Sequence, residues 1–401
     1  MFVITNGKII TEDALLQGYD LFIKGDRIAG IAPKGEIKFA EDMEIIDAKG
    51  GYVTPGFIDI HSDYIEHMAA PRPTSLMNFD LSLRETEKEL ITHGITTMFH
   101  SLSIYKGSDY SYKPIREPEN VRKFIDLIEN THHQKHLVRH RFHARFEIDN
   151  VEEIENLKDY IREGKVHLVS FMDHTPGQGQ YRHLEIWRET VKSYNNMSDA
   201  SIDVLIKTHQ TKEKLSIEAI RDVAALAQDH HIAIASHDDD TLEKLDLVHS
   251  FGTTISEFPI TMEVARRAQE LGMYTIAGAP NVLLGGSHSG NLAAAEAIEE
   301  KVIDILCSDY YPAAMLHSIF KLVEDYGQDL VEMIKLVTIN PAKAVKMGHE
   351  LGSISVGKKA DLLIIEKISD NFPVITGVFV DGELIQRTNY RVTPQETQVT
   401  R

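Results

Sequence analysis

The chain holds a single cysteine, Cys307, in 401 residues. No disulfide can form within it, and a reducing, cytoplasmic setting is expected. Positive charge is also short: 42 Lys and Arg stand against 61 Asp and Glu, for a net charge of −19. That balance excludes nucleic acid and anionic membranes as natural partners. An anionic small molecule would need a local positive pocket set against the overall field. No apolar run is long enough to span a bilayer. The opening MFVITNGKII lacks the basic start and long apolar stretch of a secretory signal. Low-complexity linkers and short internal repeats are absent too. What remains is a globular composition, 42% hydrophobic and 26% charged. The length suits one barrel of about 250 residues with a smaller domain beside it.

The two ends share a style that the middle does not. FVITNGKII, DLFIKGDRIAGIA and EIIDAKGGYV are short alternating strands, with hairpin signals at Asn6-Gly7 and Gly25-Asp26. GSISVGKKADLLIIE and PVITGVFVDGELI repeat the pattern near the other end, with a turn at Asp381-Gly382. The economical arrangement is a small β-sandwich built from residues 1–54 and 346–401, with residues 55–345 inserted as a (β/α)8 barrel. The inserted part alternates strand with helix. Its strands are GFIDIHSD, ITTMFHSL, VRHRFHARFEI, KVHLVSFMDHT, IAIASHDDD, TISEFPIT, MYTIAGAPN and IDILCSDYYP.

Chemistry gathers at the strand ends. In GYVTPGFIDIHSD a turn feeds a short buried strand, and His61 and Asp63, two residues apart, point the same way at its mouth. Glu147 closes the third strand, His174 the fourth, His237 the fifth and Asp309 the eighth. Barrel enzymes keep their reacting groups at these C-terminal ends. Among twenty histidines, any one of these alone reads as a packed bystander. Five strand ends carrying ligand-type residues read as one divalent-metal site, for zinc first, with manganese or iron as alternatives. One ion or two would fit. The third strand alternates sharply. Val138, His140, Phe142, Ala144, Phe146 and Ile148 form a nearly apolar face for helices, while Arg139, Arg141, His143, Arg145 and Glu147 share the inward one. The arginines nearest the strand start are expected to reach solvent at the barrel floor, leaving Arg145 close to the site.

The VTPGFIDIHSD entry, the Asp ending strand eight and the GSISVGKKADLLII return resemble the amidohydrolase superfamily over nearly the whole chain. More narrowly, HSDYIEHMAAPRPTS, HLVSFMDHTPGQGQY, IASHDDDT, APNVLLGGSHSGN and ILCSDYYPAAML resemble the PhnM family. Members of that family cleave α-D-ribose 1-methylphosphonate 5-triphosphate into the 5-phosphate and diphosphate. The resemblance implies that reaction, a metal-activated water, and a strand-eight Asp309 that orients or deprotonates it. It also implies that Glu147 bridges two ions if the site is binuclear. Two positions depart from the family pattern. Tyr64 stands where an Asn follows the first-strand motif, and Leu284 stands where an Arg precedes the Gly-rich string.

The other polar groups sort by role. Arg72, in a stiff Pro-Arg-Pro loop, is placed to hold an anionic group, or is a solvated loop residue. The turn Gly285–Asn291, with Gly286, Ser287, His288 and Asn291, follows strand seven and offers backbone N–H groups to phosphate. Gln178 and Tyr181 are expected at the mouth. Glu257 is a ligand-facing acid or a strand-end cap. Asp173 and Asp238 adjoin ligand candidates and could orient them. His174 is a metal ligand or a substrate contact. The expected partner is a small, phosphorylated substrate, and a homo-oligomer is compatible with the sequence. An amidase or deaminase using the same metal site is the alternative. A non-catalytic scaffold is the weakest reading, because every candidate ligand is present.

Overall fold

A computed structural model describes residues 1–36, 43–72, 75–104, 113–179, 184–194, 198–287 and 291–391. The N-terminal part contributes strands β1 (Phe2–Ile10), β2 (Leu15–Lys24), β3 (Arg27–Pro33), β4 (Glu44–Asp47) and β5 (Tyr52–Pro55). The C-terminal part contributes β14 (Leu362–Lys367), β15 (Pro373–Val380) and β16 (Glu383–Arg387). These eight hydrogen-bond into one mixed sheet of order β16-β15-β14-β5-β1-β2-β3, with β4 also pairing β1. The β5–β14 pairing is where the two ends of the chain meet, for example at Val53 opposite Ile364. Two hairpin signals hold: Gly25 has φ 59°, and Asp381 and Gly382 have φ 47° and 76°. Asn6-Gly7 does not form a turn. Asn6 takes φ 55° inside β1, and the register against β2 slips there, so the signal marks a bulge. Gly7 is required at that point, because a Cβ would lie 2.6 Å from Val53 Cγ2.

The middle forms β6 (Phe57–Ser62), β7 (Ile95–Ile104), β8 (Arg139–Glu147), β9 (Leu168–Met172), β10 (Ala233–His237), β11 (Ile255–Glu257), β12 (Tyr274–Gly278) and β13 (Ile305–Cys307). All pair in parallel, in chain order. A parallel bridge between Ser62 and Asp309 brings β13 back to β6. The result is a nearly closed (β/α)8 barrel. Helices return between the strands, and several begin at the side-chain caps their sequences offer, such as Ser216, Thr241 and Thr261. The apolar face of β8 behaves as its alternation requires. Phe142, Ala144 and Phe146 pack with Phe124, Ile125, Ile128, Leu157 and Ile161 of the flanking helices. Each such phenyl or branched side chain contributes about 1.5–3 kcal/mol when fully buried.

The inward face of β8 corrects one expectation. Arg139 is not solvated: its Nη1 lies 2.7 Å from Asp361 and its Nη2 2.8 Å from Asp381. A buried guanidinium needs paired carboxylates, and the terminal sheet supplies them, fastening it to the barrel floor. No helix among the described residues is long and apolar enough to cross a membrane.

Candidate metal centre

The barrel closure is built from residues of the site itself. Asp63 N donates to Asp309 O at 2.9 Å, and Asp309 N donates to His61 O at 3.1 Å. Asp309 takes a left-handed φ of 57°, a conformation that Asp tolerates better than most residues. Below them, Asp59 Oδ1 accepts the N–H groups of His61 (3.3 Å) and Ser308 (3.2 Å). These bonds tie β6 to β13.

Above that seam the side chains converge. His61 Nδ1 lies 2.8 Å from Glu257 Oε1, and His237 Nδ1 lies 3.4 Å from Glu257 Oε2. The two imidazoles are stacked, with centroids 5.4 Å apart and planes 3° apart. Phe258 meets both edge-on. On the other side, Asp238 Oδ2 sits 3.6 Å from His237 Nε2 and 3.8 Å from His174 Nε2. His174 Nδ1 bonds Glu147 Oε1. Two groups therefore share His237: His61, His237 and Glu257, and His174, His237 and Asp238. In each, the potential donor atoms lie within 4.8 Å of one another. Buried Glu257 Oε2, His237 Nδ1 and Asp238 Oδ2 make no hydrogen bond. Leaving such atoms unsatisfied is costly. A mixed nitrogen and carboxylate donor set with orphaned atoms fits a divalent ion.

The electrostatics point the same way. Burial, aided by the nearby Arg145 charge, holds His61 and His237 well below the ordinary imidazole range. They are neutral at pH 7, which is the metal-binding form. Burial pushes Glu257 and Asp309 up to about 7 and Asp238 to about 6. Asp63 is raised by burial and by Glu66. Burial opposes both charges of the Glu147–His174 pair, but their mutual attraction lowers the acid and raises the imidazole. Beneath the cage His143 is fixed by Ser101 and Ser170, each at 2.9 Å.

The six sequence-derived ligand candidates all lie around this mouth, but the tight groupings differ from the expected set. Glu257 stands between His61 and His237 and faces into the mouth. Asp238 joins His174 and His237 as a donor in its own right, besides adjoining the ligand His237. Asp173 is turned away, 2.7 Å from Lys214. Arg72 and Gln178 are exposed. The turn after β12 is anchored by Asn281, whose side chain donates to Leu292 O (3.0 Å) and accepts from Ala294 N (2.9 Å). Gly286 is held by its N–H on Asn281 O at 3.0 Å. Ser287 and Asn291 are half-buried, while Tyr181 and His288 lie outside the described residues. Leu284, where a cation would flank this turn, is 68% exposed. The sequence reading passed over Glu66. It is buried, and Arg116 and Lys113 bond it at 2.7 Å and 2.9 Å. Its place one turn after Asp63 was the available signal.

A nearly closed parallel barrel with a sheet shared by both termini carries, at its mouth, His, Asp and Glu groups that could hold a divalent ion. The amidohydrolase family profile matches residues 52–385, and the chain belongs to that family. It is 33% identical to the α-D-ribose 1-methylphosphonate 5-triphosphate diphosphatase of Escherichia coli K12, over 96% of this chain and all of that one. It is 23% identical to an adenine deaminase of Clostridium botulinum strain Loch Maree, over 96% of this chain but only 57% of the deaminase. Among solved structures, N-acetylglucosamine-6-phosphate deacetylase of Pasteurella multocida shares the fold, with a TM-score of 0.63 and 16% identity over 96% of this chain and all of that one.

Proposed function

We propose that this hydrolase cleaves the phosphoanhydride of a ribose 5-triphosphate carrying a phosphonate, releasing diphosphate. The observation that carries the reading is the 33% identity to the E. coli diphosphatase across that enzyme's whole length. His61, His237, Glu257, His174, Asp238 and Glu147 would hold one or two divalent ions, with Asp63 and Asp309 beside them. A bound ion supplies an acidified water and a Lewis acid for phosphoryl oxygens. Asp309, whose carboxyl is raised by burial to about 7 in the metal-free protein, would orient the water or take its proton. The water oxygen bonds to the phosphorus nearest the ribose. The bond to the bridging oxygen breaks, and its electron pair leaves with diphosphate. The polar groups of Ser287 and Asn291 in the turn after β12, with Arg72 and Gln178, are the proposed contacts to the phosphates. Residues 55–345 carry the chemistry in this reading, and the terminal sheet braces the floor through Asp361 and Asp381.

Phosphorus NMR of the products tests it: the 5-phosphate and diphosphate are expected, and successive release of single phosphates would overturn it. Exposed Leu284 and the adenine deaminase similarity favour a second reading, C–N hydrolysis at the same centre. Ammonia release from adenine without diphosphate release would establish that one.

A further inference from the structure

We infer that Arg145 is a substrate-binding cation at the floor of this mouth, gripping non-bridging phosphoryl oxygens of the anhydride. The inference rests on the proposed phosphoanhydride reaction and names a residue for it. Arg145 lies on the inward face of β8, between His143 below and Glu147 above. Its Nη2 is 3.3 Å from His237 Nε2, and its Nε is 3.2 Å from Met172 Sδ. His61, Asp63, Glu147, His174, His237, Asp238, Glu257 and Asp309 all feel its charge. Its contact is with His237, the residue that both candidate donor groups share, and this places the guanidinium at the cage.

Its pairing sets it apart. Arg139 holds two carboxylates and Arg116 holds Glu66. Among the described residues, Arg145 makes no ion pair with a carboxylate within 4.0 Å, although five acids surround it. A half-buried cation without a carboxylate of its own is poised for an anion. The planar fork matches two oxygens of one phosphoryl group. This charge also answers the overall −19 and the neutral Leu284: it puts a guanidinium in the mouth that an anion must enter.

The alternative is that Arg145 merely props His237. The two roles predict opposite metal behaviour. Removing a positive charge beside His237 leaves divalent-ion affinity intact or tightens it if the role is anion binding. Loss of a prop loosens the metal. The test compares the full-length wild type, Arg145→Ala and Arg145→Lys. Zinc affinity and inorganic diphosphate binding are measured by calorimetry, and turnover is measured on a ribose 5-triphosphate. Arg145→Ala should bind diphosphate and turn over the triphosphate about a hundredfold more weakly or more slowly. Zinc binding should hold or tighten. Arg145→Lys keeps the charge but loses the fork, and should recover only part of the loss. Added guanidinium ion should partly restore Arg145→Ala. Unchanged diphosphate binding in Arg145→Ala, or zinc lost in step with turnover, overturns the inference. Wild type that binds diphosphate through Arg145 yet cleaves no triphosphate leaves the anion site standing and sinks the proposed reaction. Wild type that cleaves the triphosphate yet binds no diphosphate sinks the anion site and leaves the proposed reaction standing.

Discussion

Replacing Glu257 with glutamine should stabilise the metal-free protein at pH 8 and abolish its stabilisation by zinc. Glu257 is fully buried. Burial lifts its carboxyl from an ordinary 4.5 to about 7, against the pull of His143 and Arg145. At about 1.4 kcal/mol per pH unit, that displacement is worth about 3 kcal/mol at most. The folded protein keeps this proton between pH 4.5 and 7, where the unfolded chain has released it. Metal-free stability therefore falls as pH rises through that window and levels off above it. Glutamine copies the neutral acid, and its amide can either donate to or accept from His61 Nδ1. The variant should match wild type near pH 4.5 and exceed it by about 2–3 kcal/mol at pH 8 in chelator. Zinc should reverse the order, because binding to the folded state alone stabilises wild type by mass action. Urea unfolding of both proteins across pH 4.5–8, with chelator and then with zinc, measures this. A variant less stable than wild type at pH 8 in chelator, or equally stabilised by zinc, would refute the reasoning.

Glu66→Gln should cost about 2–3 kcal/mol at pH 7, because Arg116 and Lys113 outweigh burial and hold the acid at about 2. This contribution is full above pH 4.5 and lost as pH falls towards 2, so urea midpoints of variant and wild type should converge as pH falls from 4.5 towards 2. A gap that ignores pH would count against the ion pair. Arg72→Ala should cut kcat/KM for a phosphorylated substrate about ten- to a hundredfold. Metal content should not change, and unaltered turnover would remove Arg72 from the site. Asp309→Asn should lower kcat by about 10²–10⁴-fold with an unchanged circular dichroism spectrum. Near-wild-type kcat would move proton transfer elsewhere.

The barrel was legible because most of its strands are short, largely apolar runs with polar ends, and because β8 alternates over its full length. The sheet from the two termini was legible in paired turn residues, except at Asn6-Gly7. There the same left-handed preference serves a bulge inside a strand. The mouth was legible as a set of strand ends but not as a set of partners. Asp238, Asp239 and Asp240 are indistinguishable in sequence. In the fold, Asp238 has φ 51° and faces His237. Asp239 is buried and accepts from Ser236 and Ser256, and Asp240 accepts from Gly179 N at 2.9 Å. Only the turn, clamped by Lys244 on the carbonyls of His237 and Asp238, separates their roles. Glu257 ends a strand of three residues, too short for alternation to give its direction. Its bond to His61 spans 196 positions, a distance that no local pattern encodes.

The most direct measurement is diphosphate release from a ribose 5-triphosphate as zinc is titrated into metal-free protein. Release should rise with zinc and saturate at one or two ions per chain, and chelator should abolish it. Ammonia release from adenine should stay at background throughout. Saturable zinc binding with no diphosphate release, together with zinc-dependent ammonia release, would contradict the phosphoanhydride reaction and establish the C–N hydrolase in its place.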